Sequence, residues 1–453
     1  MTTLNKIRQL TTRVLLSILL LAGMAWGQSG TLSSAAFGMQ CGPGKPTNCP
    51  IPIALPTEPG TLRLWDSEVE WSAINTANGT YNFATLNDYL YAIASDSSLK
   101  NVIYTFGWVP CWDAVSCSDP SQNRTSTPPE DLGTGTCGTG GTGSCTFDAF
   151  VQALTTYCAP PTSQFPNGVC FASVVKYFEL WNEANSTGFW NGTASQLYHM
   201  VAPAVGIIKK NVSGAKFLTP SATPTGGEAW MADSWLPEEV SNGVLSNFYN
   251  FHVYLDTDTP ETRWEDVVQQ NITGGGHGLL YPNYNTTGWT PLPWLVSETN
   301  FIPTGTLSFT CSTSFSQADC TGQVVRWQAI LNSNGALNLS WYYWNTTIGD
   351  KGEPSHPYAT AYYWMMQYMV NGFFSAACQV SGVTWTCPFK EGDEVNALFV
   401  WTTSENNTNY TVPPGYVDYR DLNGGTTSVT GGEQITITVE PIMLEQMKPR
   451  THH

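Results

Sequence analysis

Eight short runs rich in β-branched and aromatic residues recur between about residues 35 and 372, and amphipathic helical patterns separate them. This alternation predicts repeated βα units around a parallel sheet, and eight such units close a (β/α)₈ TIM barrel. The sequence therefore predicts an α/β fold built on this barrel. The eight runs are AAFGMQ from residue 35, TLRLW from 61, NVIYTFGW from 101, VVKYFELWNE from 174, AKFLTP from 215, NFYNFHVY from 247, LPWLVSE from 292 and ALNLSWYYW from 336.

The pattern changes after about Gly372 to closely spaced strands with turns at NGG and TGGE. Strands that follow one another without helices are typical of antiparallel sheets. We therefore predict a catalytic barrel domain over residues 28–372, a small C-terminal antiparallel β-sandwich over 373–446 and a tail over 447–453.

Residues 1–27 have the composition of a signal peptide, because three basic residues precede the apolar run 14–24 and small residues follow it. The alternative is an uncleaved membrane anchor, but a spanning helix needs about 20 apolar residues and this run is shorter. We predict cleavage near Gln28. No later segment is long and apolar enough to span a bilayer, so we expect no membrane insertion after cleavage.

The twelve cysteines fall into six pairs that are close in sequence, and local disulfides are the simplest pairing, although sequence alone does not fix the connectivity. Metal binding is the alternative, but no CxxC or HExxH spacing occurs. Disulfides and a signal peptide together predict a secreted or periplasmic protein. The pairs are Cys41 and Cys49, Cys111 and Cys117, Cys137 and Cys145, Cys158 and Cys170, Cys311 and Cys320, and Cys378 and Cys387.

The formal net charge of −17 argues against nucleic acid or an anionic membrane surface as a partner, since either would need a basic surface. Aromatic residues make up 13% of the chain, against 12% for charged residues. Such an aromatic content suits stacking on sugar rings, and it also suits a large core. Composition by itself does not choose between these two explanations, and the sequence does not indicate the oligomeric state.

Two apolar strand runs end in a glutamate. Glu183 ends the fourth run, in YFELWNEAN, and Glu298 ends the seventh, in PWLVSETN. The C-terminal ends of barrel strands meet at one face, where catalytic residues of this fold lie. A strand-end glutamate can also belong to a structural ion pair, and Glu179 shares the strand face of Glu183 at a greater depth.

A pair of carboxyl groups facing one opening is what glycoside hydrolysis requires, one to protonate the leaving oxygen and one to stabilise or attack the sugar. Retaining enzymes hold the two groups about 5 to 5.5 Å apart, and inverting enzymes hold them roughly 6.5 to 9.5 Å apart. Side chains from strands four and seven can reach the shorter separation, which favours the retaining mechanism.

These motifs resemble clan A of the glycoside hydrolases. NE on the fourth strand and E on the seventh carry the resemblance to the clan, and RLWDSEVEW, YTFGWVPCW, ELWNEAN and FHVY are similar to glycoside hydrolase family 39 and its bacterial relatives. Two departures are NEAN, where many relatives have NEPN, and WYYWNTT at the end of the eighth strand.

The resemblance implies that Glu183 is the acid/base and that Glu298 is the nucleophile. It also implies that Arg63 and Tyr254 donate hydrogen bonds to Glu298, and both residue types stabilise an ionised carboxylate. Read alone, Arg63 and Tyr254 would equally fit a buried structural arginine and a core tyrosine.

The resemblance further implies that Asn182 binds the sugar 2-hydroxyl and that His252 orients the substrate or Glu183. Trp108 and Trp344 are the aromatic residues expected to bind sugar rings, with Trp344 nearest the cleaved bond. Trp112 and Trp341 lie on the same strand ends and better fit barrel filling. No metal and no cofactor is expected.

Two alternatives remain open at this point. A carbohydrate-binding barrel without catalysis would share the aromatic residues, and a transglycosylase would share the covalent intermediate but transfer the sugar to another sugar.

Overall fold

The computed structural model describes residues 30–40, 59–117, 119–134, 137–138, 141–223, 226–255, 257–269, 292–301, 311–342, 357–392 and 395–446. The predicted signal peptide, the predicted tail, the pair Cys41 and Cys49, and Trp344 lie outside the described residues.

Eight parallel strands form the predicted barrel, one in each of the eight sequence runs. Neighbouring strands pair in the order β5-β4-β3-β2-β1-β8-β7-β6, and a parallel bridge between Leu218 and Phe248 joins the two outer strands. The predicted (β/α)₈ fold is therefore confirmed. The strands are β1 (Phe37–Gln40), β2 (Thr61–Leu64), β3 (Asn101–Thr105), β4 (Tyr177–Glu179), β5 (Lys216–Leu218), β6 (Tyr249–His252), β7 (Trp294–Thr299) and β8 (Ala336–Trp341).

The barrel interior is crowded, as one glycine of β1 demonstrates. A Cβ atom on Gly38 would lie 2.1 Å from the hydroxyl oxygen of Ser340 on β8. Because side chains alternate across a strand, the apolar neighbour Met39 points the other way, into the layer between strands and helices.

Helices cover the outside of the barrel and bury their apolar stripes against it, as the sequence pattern predicts. Helix α5 begins with a capping box, in which Thr193 and Gln196 bond each other's backbone N–H groups at 3.1 and 2.9 Å. The helices are α1 (Trp71–Ile74), α2 (Ala84–Ser95), α3 (Cys145–Thr156), α4 (Phe171–Val174), α5 (Ala194–Asn211), α6 (Gly227–Trp230), α7 (Leu236–Asn242), α8 (Pro260–Arg263), α9 (Gln317–Ser333) and α10 (Pro357–Met369).

Helix α9 differs from the other covering helices because every residue from Cys320 to Ser333 is buried. One side of α9 packs on the barrel and another meets the C-terminal strands. The contact with these strands is close, since a Cβ atom on Gly322 would lie 2.2 Å from the carbonyl oxygen of Val439.

The C-terminal strands form two antiparallel sheets, which confirms the predicted sandwich. In the larger sheet, Leu398, Val400 and Leu444 face the smaller sheet, while Phe399 and Met443 face the barrel helices. The domain boundary at residue 372 stays a prediction. The strands are β9 (Gly372–Phe374), β10 (Gln379–Ser381), β11 (Thr384–Glu391), β12 (Val395–Thr402), β13 (Thr408–Thr411), β14 (Tyr416–Arg420), β15 (Thr426–Ser428), β16 (Gln434–Ile437) and β17 (Ile442–Gln446), with β13 and β16 in the smaller sheet.

Five of the six predicted disulfides join the cysteines that the sequence pairs. They are Cys111–Cys117, Cys137–Cys145, Cys158–Cys170, Cys311–Cys320 and Cys378–Cys387. Across the described ranges, no helix has the length and apolar character needed to cross a membrane.

Candidate active site

The barrel mouth, meaning the end at which the eight strands have their C-termini, holds a buried cluster of ionisable side chains. Parallel strands bring these residues together because all of their C-terminal ends lie at one face. We call the group the mouth cluster; its members are Arg63, Glu179, Glu183, His252 and Glu298.

Arg63, the second-last residue of β2, is at the centre of the mouth cluster and is fully buried. Its Nε and Nη2 atoms donate to the two oxygens of Glu179 at 2.8 and 2.9 Å, and its Nη1 donates to Glu298 at 2.5 Å. Nη2 also donates to Asn182 at 2.8 Å and Nη1 to Gln40 at 2.5 Å. Arg63 thereby fixes both carboxylates and Asn182 relative to one another, as predicted for Glu298.

Glu179 ends β4 beneath the mouth and has no solvent exposure. Burial by itself raises the pKa of Glu179, but the paired Arg63 and the nearby His252 hold that pKa well below its ordinary value. Thr105 donates a further hydrogen bond to it at 3.0 Å. Glu179 is therefore an ionised structural group.

Glu183 lies four residues beyond Glu179 and reaches the opening. Its backbone has a φ of +41°, in the left-handed region, and its N–H donates to the hydroxyl of Ser221 at 2.8 Å. Its side chain is 15% exposed, and one carboxyl oxygen lies 2.9 Å from Nδ1 of His252. The turn after β4 thus brings Glu183 to solvent while Glu179 stays below.

His252 ends β6 and is surrounded by acceptors. Besides Glu183, it lies 3.7 Å from Glu179, 3.8 Å from Glu298 and 3.1 Å from the hydroxyl of Ser297. Burial lowers the pKa of His252, but the three carboxyl groups outweigh this effect and raise it to about 9. At neutral pH the imidazole therefore carries a positive charge between the two candidate catalytic groups.

Glu298, on β7, receives the two donors that the resemblance implies. Arg63 bonds one carboxyl oxygen, and the hydroxyl of Tyr254 donates to the other. Burial raises the pKa of Glu298, while the positive charges of His252 and Arg63 oppose that rise. Glu298 is therefore a buried carboxylate that is held in one orientation by two donors.

An oxygen of Glu183, an oxygen of Glu298 and a nitrogen of His252 all lie within 4.8 Å of one another. Three such atoms could hold a metal ion, but a protonated imidazole has no lone pair to offer to a metal. At neutral pH the group is better suited to proton transfer than to metal binding, and the expected absence of a metal stays a prediction.

Aromatic rings line the mouth next to the carboxyl groups. Trp108 has a φ of +56° and stacks on Trp65 with a centroid separation of 6.2 Å, and Phe189 lies 5.0 Å from Trp108. The guanidinium of Arg124 lies over Trp108 at 4.8 Å. A Cβ atom on Gly107 would lie 2.4 Å from the Trp65 ring, so only glycine leaves room for that ring.

The other two tryptophans considered from sequence have structural environments. Trp341 is fully buried and packs on Phe301 at 5.7 Å, and Trp112 donates its indole N–H to the backbone carbonyl of Asn75 at 2.8 Å. The burial of Trp341 fits the barrel-filling interpretation, whereas Trp112 is partly exposed in a short 3-10 helix that follows β3.

Sequence reasoning missed Trp65, Phe189, Arg124, Asp66 and Tyr342 at the mouth. Trp65 and Asp66 follow directly after Arg63 in RLWD, so their position at a strand end was visible. Phe189 and Arg124 belong to loops, and nothing in their local sequence indicates the mouth.

No protein-family model and no curated protein matches the chain. Solved glycoside hydrolase structures match it over nearly its whole length. A family 39 glycoside hydrolase from Bacteroides cellulosilyticus WH2 has a TM-score of 0.60 at 14% identity, covering 92% of this chain and 81% of that one. The catalytic domain of the family 30 xylanase C from Talaromyces cellulolyticus has a TM-score of 0.58 at 11% identity, covering 94% and 99%. A family 44 xyloglucanase from Paenibacillus polymyxa has a TM-score of 0.55 at 11% identity, covering 93% and 98%.

At these identities the likeness is one of fold. It confirms the predicted resemblance to clan A glycoside hydrolases at the level of the barrel with its C-terminal sandwich. The roles of individual residues are argued from the geometry of the mouth cluster.

Proposed function

We propose that the protein is a secreted retaining glycoside hydrolase that cleaves β-glycosidic bonds of an oligosaccharide or polysaccharide. One observation carries the proposal: carboxyl oxygens of Glu183 and Glu298 lie within 4.8 Å of each other at the barrel mouth. This separation suits direct attack on the sugar better than it suits a water molecule held between sugar and base.

In the first step, Glu298 attacks the anomeric carbon while Glu183 donates its proton to the glycosidic oxygen. The bond between carbon and leaving oxygen breaks, and a covalent glycosyl-enzyme forms on Glu298. In the second step, Glu183 takes a proton from water, and the resulting hydroxide equivalent displaces Glu298. The anomeric configuration is retained because two inversions occur.

The neighbours of the pair support these roles. Arg63 and Tyr254 bond the two oxygens of Glu298, hold it in one orientation and oppose the rise in its pKa that burial causes. His252 carries the charge that stabilises Glu183 as an anion after proton donation, at 2.9 Å. Since Arg63 holds the Oδ1 of Asn182, the amide nitrogen is the end left to bind the sugar 2-hydroxyl.

The aromatic wall supports a carbohydrate as the substrate. Trp108 is half-buried in an aromatic cluster with Trp65 and Phe189, and the exposed part of its indole would contact the apolar face of a sugar. The role predicted for Trp344 stays a prediction. The five disulfides support secretion, because such bonds persist in oxidising compartments.

The test is hydrolysis of aryl β-glycosides and defined oligosaccharides by the wild type, Glu183→Ala, Glu298→Ala and the control Glu265→Gln. Glu265 is exposed on the surface, so its variant should retain wild-type activity. Glu298→Ala should be inactive on every substrate. Glu183→Ala should retain most of its kcat/KM only on substrates whose leaving group needs no proton, such as dinitrophenyl glycosides, and its kcat should fall even there because the second step lacks its base.

Product analysis separates this proposal from the alternatives. Retention of the anomeric form, followed by NMR, is expected, and inversion would contradict the mechanism. Products longer than the substrate would instead indicate a transglycosylase. Binding of glycans without turnover, unchanged in Glu183→Ala, would indicate a carbohydrate-binding barrel.

A further inference from the structure

A further carboxylate, that of Asp66, lies near the mouth cluster and has no part in the proposed reaction. Asp66 lies two residues after the end of β2, and its Oδ2 accepts a hydrogen bond from the hydroxyl of Tyr342 at 2.7 Å. Tyr342 follows β8 and packs against Tyr254, which in turn bonds Glu298. Two tyrosines therefore connect Asp66 to the candidate nucleophile.

The backbone of Asp66 is held in a conformation that most residues avoid. Its φ of +53° lies in the left-handed region, where aspartate and asparagine are tolerated better than other non-glycine residues. Such conformations concentrate at ligand sites because the surrounding structure must impose them. The hydrogen bond from Tyr342 ties this turn to the opposite side of β1.

Only one oxygen of the Asp66 carboxylate accepts a hydrogen bond from the described residues. Tyr342 occupies one oxygen, and among the residues that the structure describes no donor bonds Oδ1. Burial raises the pKa of Asp66, whereas Tyr342, Arg124 and Arg63 lower it and the charge of Glu183 raises it further. Asp66 thus lies within the electrostatic field of the catalytic pair and has an acceptor to offer.

The cations near the mouth already have partners. Arg63 donates to Glu179, Glu298 and Asn182, and His252 contacts all three glutamates of the mouth cluster. Arg124 is stacked on Trp108 and paired with Asp119 at 3.4 Å. A carboxylate on a bound sugar would therefore find no unpaired cation at this part of the described mouth, and it would meet Asp66.

We infer that Asp66 is a specificity-determining residue whose carboxylate accepts hydrogen bonds from the hydroxyl groups of a neutral sugar beside Glu298, and that it excludes a uronic acid from this position. The inference rests on the proposed function, because it names the substrate class of the same site. Tyr342 acts through Asp66 as a positioning residue.

The test measures kcat/KM for aryl β-glycosides of neutral sugars, for their monodeoxy analogues and for the matching uronides. The enzymes compared are the wild type, Asp66→Asn, Tyr342→Phe and the control Glu68→Gln. Asparagine keeps the shape of aspartate and tolerates positive φ, so Asp66→Asn should fold, and its melting temperature checks this. Glu68 has a similar φ of +55° but an exposed side chain.

We expect Asp66→Asn to lower kcat/KM on the preferred neutral glycoside by about 10- to 100-fold. Removing the hydroxyl that Asp66 binds should cost the wild type a comparable factor and should cost Asp66→Asn little. Tyr342→Phe should lose about 3- to 10-fold, mainly through KM, because Asp66 keeps its charge and loses its orientation. Glu68→Gln should stay within about twofold of wild type.

The inference is overturned if the wild type cleaves a uronide as fast as the neutral glycoside, or if every deoxy analogue costs wild type and Asp66→Asn the same factor. If the melting temperature of Asp66→Asn is lowered, the test relies on Tyr342→Phe instead. Removing the sugar hydroxyl should then also cost Tyr342→Phe less kcat/KM than it costs the wild type, although the difference should be smaller. These outcomes leave the proposed hydrolase intact. Absence of turnover by the wild type on all glycosides would instead overturn the proposed function, and this inference with it.

Discussion

Two buried ionic clusters of this molecule differ in how their charges are used. The second, which we call the junction cluster, joins the barrel to the sandwich and consists of Glu261, Asp319, Arg326 and Trp401. Arg326 bonds Glu261 at 3.3 Å and also Asp319, and the indole N–H of Trp401 donates to Glu261 at 2.7 Å. Two carboxylates thus pair with the two terminal nitrogens of one guanidinium between packed elements, while the buried Nε of Arg326 has no hydrogen-bond partner among the described residues.

The mouth cluster also combines an arginine with carboxylates, but it has one more carboxylate and a histidine. Three glutamates surround Arg63 and His252, whereas two carboxylates flank Arg326. Exposure does not separate the clusters, because Glu183 is 15% exposed and Asp319 is 14% exposed. Glu298 has a raised pKa because it is buried, and His252 has a raised pKa because acceptors crowd it. The comparison teaches that shifted pKa values, rather than exposure, distinguish the mouth cluster as the candidate site for chemistry.

The largest expected effect is on catalysis at the mouth. Glu298→Gln should lower kcat on an aryl β-glycoside by at least about 1,000-fold, because the nucleophile is lost. Its melting temperature should not fall, since a neutral amide replaces a buried carboxylate whose pKa is raised. A large fall in melting temperature with proportionate loss of activity would mean that Glu298 is structural, like the junction cluster.

The matched change at the junction is Glu261→Gln, and it should act on stability. It weakens the buried pair with Arg326 and should cost about 2 to 3 kcal/mol of unfolding free energy, since Arg326 keeps Asp319. The kcat of the folded fraction should remain that of the wild type. Denaturant unfolding with activity measured at 20 °C or below (about the temperature of maximum stability) checks both; a fall in kcat without a stability change would contradict the comparison.

A smaller effect should appear as a pH dependence of stability that belongs to His252. Its pKa rises from 6.5 in the unfolded chain to about 9 in the folded protein, so its contribution is fully present below pH 6.5 and is lost as pH rises through 9. The melting temperature of the wild type should therefore fall between these pH values more than that of His252→Gln. If the melting temperatures of the two proteins fall by the same amount between pH 6.5 and about 9, the imidazole of His252 is not charged.

The smallest effect is expected at the aromatic wall. Gly107→Ala would place a methyl group 2.4 Å from the Trp65 ring and should displace it from Trp108. We expect KM to rise by about 3- to 10-fold with kcat changed less, because sugar binding weakens while the carboxyl pair stays in place. Steady-state kinetics on an oligosaccharide measures this; an unchanged KM would mean that the wall does not bind substrate.

The sequence predicts most of the barrel and the chemistry of the mouth because both depend on short-range patterns. All eight strands lie in runs recognisable from residue type. Arg63, His252 and Glu298 lie in the last two residues of their strands, while Tyr254 follows β6 by two residues and Glu183 follows β4 by four. Once strands are parallel and ordered, these ends must meet. The sequence does not decide which glutamate of the fourth run reaches the opening, because the strand period places Glu179 and Glu183 on one face. Only the turn after β4 makes Glu183 more exposed than Glu179.

The rest could not be predicted because it depends on contacts between distant segments. The hydrogen bond between Tyr342 and Asp66 spans 276 positions, and the one between Trp401 and Glu261 spans 140. Neither partner has a local pattern that indicates the other. Loop conformation and helix placement decide such contacts, and no periodicity encodes them.

The burial of α9 from Cys320 to Ser333 determines how this protein can be truncated or recombined. A truncation after residue 372 would strip one side of a helix whose residues 320–333 are all inaccessible, and it would leave the carboxylate of Glu261 without the indole of Trp401. We therefore expect that the barrel does not fold stably without the sandwich and that the sandwich cannot be exchanged freely between enzymes. Barrel and sandwich should melt in one cooperative transition, and a fusion or graft should keep both.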